Sequence, residues 1–256
     1  MKSTALIILF LFCIATPARG QGDTSDPLIR YGGRSAQLTI YQISDRTLEI
    51  RLEPIHSAGG ALPMFAEPEL PAGYSRDEVW SGRAIMDPVR GKLGSLHVEL
   101  LRSPLRIIFR RDDGSIIQEL SWPDNTGWIH FRTEAPVFGP ISDTTRMDLR
   151  GSTFFQSDNS NPCESPADGS GVVTHWLTGA DGWSLFVYHP AGSKNRFDLS
   201  GEFGIFQPDE QMLSDPLVLL VSIREEPDGA YSTATCRCGW LDCFLEASEE
   251  VRPENR

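Results

Sequence analysis

The chain has 256 residues, and 35 acidic against 23 basic side chains leave it with a net charge of −12. A surface this acidic repels nucleic acid and anionic lipid, so neither is expected as a partner. Acidity itself names no ligand and mainly favours solubility.

The first element in chain order is a secretory signal over residues 1–20. Lys2 supplies its positive start, residues 5–15 form an apolar run, and small residues follow at Ala18 and Gly20. That run is about half of the ~20 apolar residues that a spanning helix needs, and no second long apolar stretch follows it. Cys13 is preceded by Phe12 and not by the small residue that lipidation requires. An exported product, periplasmic or extracellular, beginning near Gln21 is therefore expected. Loss of Lys2 and Arg19 takes its charge from −12 to −14.

From Gln37 onward, short alternating or β-branched runs are separated by turn residues. Leu38, Thr39, Ile40 and Tyr41 open the first strand. Residues 47–53 alternate strictly, with Leu48, Ile50 and Leu52 on one face and Glu49, Arg51 and Glu53 on the other, which predicts a half-buried antiparallel strand. Residues 54–93 are rich in proline and glycine without a sustained period, and read as a long irregular excursion holding one short strand or helix. Regular structure resumes at residues 96–101, 105–109 and 115–122, the last two joined by the hairpin signal Arg110, Arg111, Asp112, Asp113, Gly114. Further strands are expected at 172–177, 184–188, 197–199, 204–206 and 217–223.

Many short strands, frequent turns and no alternation with helices predict an all-β sandwich over residues 21–225. The remaining residues, 226–256, begin small and polar and end dominated by charge, which predicts a poorly ordered tail. After signal removal Cys163, Cys236, Cys238 and Cys243 remain. An exported protein can oxidise them, but which pairs form is not readable from sequence. The C-x-C-x4-C spacing is a poor match to structural zinc patterns and has no histidine nearby, so neither metal nor cofactor is expected.

Several segments together resemble the N-terminal sandwich of glycoside hydrolase family 31, the α-glucosidases, α-xylosidases and relatives. Leu101, Arg102, Ser103, Pro104, Leu105 and the strand and hairpin after them are the first piece. Val137, Phe138, Gly139, Pro140, then Met147, Asp148, Leu149, Arg150, Gly151, are similar to the family's glycine turn and D-x-R-G type step. Asp181, Gly182, Trp183, Ser184, Leu185, Phe186, Val187, Tyr188, His189, Pro190, with Phe197, Asp198, Leu199, resemble its glycine-aromatic strand and F-D-L turn. Their order and spacing agree with the family from Leu38 to Val221. The resemblance implies a galactose-mutarotase-like supersandwich and carbohydrate as the partner.

In that family the sandwich precedes a (β/α)8 barrel, which carries an aspartate nucleophile in a W-x-D-M-N-E type motif. No such motif occurs here, and a barrel takes about 200 residues, so the catalytic domain is expected to be missing from this chain. No catalytic residue is assigned. Asp158 sits where some family members lend a loop aspartate to a sugar subsite; the plainer role is an aspartate capping its own turn. His175, Trp176 and Trp183 offer a stacking face for a sugar ring, or else pack the sandwich. The resemblance thus implies a carbohydrate-binding and substrate-loop domain of an exported α-glycosidase, truncated and not catalytic alone. A free-standing carbohydrate-binding module is the alternative, and an epimerase-like enzyme acting through sandwich carboxylates is a third reading.

Overall fold

Strands form where apolar or β-branched side chains alternate with polar ones, and turns form where glycine or aspartate breaks the pattern. The computed structural model describes residues 28–55, 70–93, 96–123, 126–139, 148–157, 176–188 and 194–224, together with Leu245. These residues form sixteen strands: β1 (Arg30–Tyr31), β2 (Arg34–Gln42), β3 (Thr47–Pro54), β4 (Asp77–Gly82), β5 (Val89–Leu93), β6 (Leu96–Leu101), β7 (Leu105–Arg110) and β8 (Ile116–Trp122), then β9 (Ile129–Arg132), β10 (Val137–Phe138), β11 (Thr153–Ser157), β12 (Trp176–Gly179), β13 (Trp183–Tyr188), β14 (Lys194–Asp198), β15 (Phe203–Gln207) and β16 (Leu217–Ile223). A single 3-10 turn, Glu210–Ser214, precedes β16.

The strands make two antiparallel sheets. The first runs β1-β2-β3-β16-β13-β12-β10, with β4 also paired to β2; the second runs β11-β14-β15-β9-β8-β7-β6-β5. One core of buried side chains lies between them, with Leu38, Ile50, Leu219, Leu185 and Leu177 from the first sheet facing Ile107, Leu120, Phe131 and Phe206 from the second. The all-β sandwich expected from the sequence is the fold observed.

Aromatic rings join the two sheets. Phe131 of β9 meets Trp183 of β13 edge-on at 5.9 Å between centroids, and Phe197 of β14 at 6.4 Å. Phe197 in turn packs on Phe154 at 5.4 Å and Phe206 at 5.0 Å. Gly204 lies opposite Phe131 in the ladder, and a Cβ there would sit 2.3 Å from the ring. At the β7–β8 hairpin, Gly114 takes a φ of +84°, Gly114 N–H donates to Arg111 C=O, and Asp113 Oδ1 accepts from Ser115 N–H. This is the turn its sequence signal predicts.

Two local expectations change. The excursion after β3 contains two strands among its described residues, β4 and β5, where one short element was expected. β4 is an edge strand of mostly exposed polar residues, so no buried alternation marks it. β3 is buried on both faces, Glu49 and Arg51 included, and not half-buried. Leu245 is fully buried, and the rest of residues 226–256 lie outside the described residues.

Gly204→Ala should test the aromatic junction. The new methyl forces Phe131 out of a packed cluster, so unfolding by denaturant should show a loss of about 1–3 kcal/mol.

Candidate functional site

Side chains alternate between the faces of a strand, so register alone sorts the first sheet. On the face turned away from the main core, Tyr41, Glu49, Leu220, Phe186 and Trp176 are successive partners across β2, β3, β16, β13 and β12. Beside them runs a row of Thr39, Arg51, Val218 and Tyr188. On the other flank Thr47, Ser222, Ser184 and Thr178 form a row of hydroxyls. There Thr47 Oγ1 donates to Ser222 Oγ at 3.1 Å, and Ser184 Oγ to Thr178 Oγ1 at 3.3 Å.

Glu49 is 0 % exposed in the middle of this face. A buried carboxylate must be paired, and both oxygens are: Arg51 Nη2 donates to Oε1 at 2.7 Å, and Arg76 Nε to Oε2 at 2.8 Å. Arg51 also lies over the Tyr41 ring, 5.4 Å from its centre, and reaches Glu53 at 3.7 Å. Glu49 therefore holds two guanidinium groups in place. A second apolar cluster surrounds this set, with Ile43, Phe186, Val218, Leu220 and Leu245 buried and Tyr41, Tyr74, Trp176 and Tyr188 packed against them. Half-buried aromatic rings beside fixed guanidinium donors can stack on an apolar ring face and bind hydroxyls or anionic groups.

Trp176 belongs to this face, whereas Trp183 does not. The hairpin register pairs Trp176 with Phe186 on the outer side and Trp183 with Ile223 on the core side. Trp183 is 1 % exposed and its ring packs on Phe131, so in this arrangement it offers no face to a ligand. The two tryptophans expected to share a stacking face are on opposite sides of one sheet. Asp158, His175 and His189 lie outside the described residues, as do the four cysteines Cys163, Cys236, Cys238 and Cys243.

The motifs that carry the family resemblance act as structural joints. Asp148 accepts from Val137 N–H and Arg150 N–H, both at 3.1 Å, and is clasped by the Arg150 guanidinium at 2.8 and 2.9 Å. Partial burial works against its charge, yet hydrogen bonds from Arg150 and Val137 outweigh it and hold the carboxyl below the usual range. Arg150 reaches Glu134 C=O at 2.9 Å, so this step ties the segment entering β10 to the one entering β11. Asp198 accepts from Ser200 Oγ at 2.6 Å and Ser200 N–H at 3.0 Å, which closes the F-D-L turn.

The sequence reading missed Glu49, Arg51, Arg76, Tyr41 and Tyr188 as a group. The available signal was β16, whose residues 217–221 form an uninterrupted apolar run that requires cover on both faces and so predicts that its neighbours' charged faces are not solvated.

No family model and no curated protein matches the sequence. Solved structures do share the fold. A glycoside hydrolase family 31 dextranase from Flavobacterium johnsoniae, complexed with isomaltotriose, aligns over 75 % of this chain and 24 % of its own, at 12 % identity and a TM-score of 0.51. A Listeria monocytogenes protein in complex with glucose, magnesium and calcium aligns over 76 % of this chain and 19 % of its own, at 15 % identity and a TM-score of 0.51. At these identities the likeness is one of fold. The chain spans less than a quarter of the length of either protein.

Two substitutions probe these ion pairs. Glu49→Leu strands two guanidinium groups, one of them nearly fully buried, and should cost about 3–5 kcal/mol in denaturant unfolding. Asp148→Asn should destabilise the chain at neutral pH. Because the folded pKa of Asp148 is depressed, its contribution is present above the unfolded value of about 3.9 and is lost as pH falls through the folded value. Unfolding curves of the variant and the wild-type chain should therefore converge toward acid pH.

Proposed function

We propose that this chain is the sandwich domain of an exported family 31 type α-glycosidase, serving carbohydrate binding and substrate-loop support, with hydrolysis performed by a barrel outside these residues. The observation that carries the reading is the fold likeness, over three quarters of the chain, to a segment of a dextranase of that family. The family-like motifs support it because they occupy joints of the sandwich in the expected order, at Asp148, Asp181 to Trp183 and Asp198. Sugar rings stack on aromatic planes, and Tyr41, Trp176 and Tyr188 supply such planes beside Arg51. In this reading Asp158, in the segment that follows β11, accepts a hydrogen bond from a sugar hydroxyl.

The same aromatic set favours a second reading, a free-standing exported carbohydrate-binding module, since a platform on the sheet itself requires no barrel.

Isomaltotriose titrated into the purified chain in a calorimeter tests the binding common to both readings. Saturable binding is expected, with Trp176→Ala weakening it about tenfold through lost ring contact. Absence of binding to isomaltotriose and to maltotriose alike would refute both. The DNA beyond the last codon, translated in every frame, separates them: a barrel sequence with the nucleophile motif supports the glycosidase domain, and an unrelated gene supports the module.

A further inference from the structure

The edge strand β4 departs from regular pairing at one point. Leu38, Thr39 and Ile40 of β2 face Gly82, Ser81 and Trp80, but Tyr41 faces Glu78 and Gln42 faces Asp77, so Val79 is an extra residue bulged out of the ladder. The bulge decides which side chain stands beside Tyr41. In unbroken pairing Val79 would take that place and Glu78 would fall on the opposite face; the extra residue brings Glu78 to the outer face, directly across from Tyr41. Both flanks of this position are held. Before it, Arg76 Nε donates to Glu49 Oε2 at 2.8 Å; after it, Ser81 Oγ accepts from Gln37 Nε2 at 3.0 Å and lies 3.2 Å from Thr39 Oγ1. Tyr41 is fixed as well, with Glu49 opposite it on β3 and the Arg51 guanidinium over one face of its ring. The charges nearby differ in what they leave free. Glu49, Arg51 and Arg76 are committed to one another. Glu78 is exposed and has no hydrogen-bond or ion-pair partner among the described residues. A carboxylate accepts several hydrogen bonds and donates none, which suits a ligand rich in hydroxyl donors.

We propose that Glu78 is a hydrogen-bond acceptor of the saccharide site, taking hydroxyl groups of a neutral hexopyranose that stacks on the face of the Tyr41 ring turned away from Arg51. The assignment rests on the carbohydrate reading above and narrows it. A free carboxylate beside the stacking ring repels uronates and sulfated sugars, so the ligand at this end of the face is an uncharged sugar. The bulge at Val79 then has two effects: it blunts the edge of the sheet against pairing with another chain, and it aims an acceptor onto the binding face.

Calorimetric titration of isomaltotriose into the full chain and its variants tests the assignment. Glu78→Ala should weaken binding about tenfold or more, as loss of a hydrogen bond to a charged acceptor does, with its denaturant unfolding curve unchanged because the side chain is exposed. Asp77→Ala, the same change of charge at the neighbouring residue, should leave the affinity as it is. Glu78→Ala combined with Tyr41→Ala should lose clearly less than the product of the two single effects, since both groups hold one sugar ring. If Tyr41→Ala fails to fold, Tyr41→Leu carries the same cycle with the same criterion. Wild-type affinity in Glu78→Ala, an equal loss in Asp77→Ala, or independent effects of Glu78 and Tyr41 would overturn the role of Glu78 and leave the carbohydrate reading standing. Absence of binding by the wild-type chain to isomaltotriose and to maltotriose alike would overturn both.

Discussion

The strand Leu217–Ile223 is buried at every position, and the rest of the molecule is arranged around that demand. Its odd positions, Leu217, Leu219, Val221 and Ile223, join the main core, while Val218 and Leu220 face the other way. Burying each such side chain contributes about 1.5–3 kcal/mol, so a sheet with this strand at its centre is stable only when covered on both sides. The second sheet covers one side. Tyr41, Tyr74, Trp176, Tyr188 and Leu245 pack on the other, the face on which Glu49 and Arg51 also lie enclosed. The ion pairs of Glu49 follow from that enclosure, because a carboxylate taken out of water must find cations.

The main core has a different organising device. Phe131 and Trp183 meet across the two sheets, and Phe197, Phe206 and Phe154 extend the contact within the second. The segments that resemble family 31 sandwiches supply these rings or the turns that aim them. Trp183 fills the core, Asp148 and Arg150 pin β10 to the approach of β11, and Asp198 closes the turn after β14. The resemblance is therefore one of scaffolding, which explains how it coexists with 12 to 15 % identity to the proteins that share the fold.

The carbohydrate site proposed above lies on the outer face of the first sheet, where Tyr41, Trp176 and Tyr188 share one side with Arg51. Those rings also pack on the cluster that holds Val218 and Leu220, so the proposed site is part of the packing of the sheet and not an addition to it.

The sequence by itself determined the fold class, because period-two runs broken by glycine and aspartate have no stable alternative to antiparallel strands. The alternation in residues 47–53, the hairpin at Asp113 and Gly114 and the apolar run at residues 217–221 were all legible, since each depends on neighbours within a few positions. Three things were decided only by tertiary structure. β4 has no alternation of its own and exists because β2 offers an edge. Trp176 and Trp183 face opposite ways because the hairpin between β12 and β13 sets their register, and a slip of either strand by one residue would put both on one face. Glu49 meets Arg51 and Arg76 on a covered face only because separate strands and the segment before β4 come together there. A charge on a strand looks solvated in sequence; whether water reaches it depends on what the rest of the chain brings to that face.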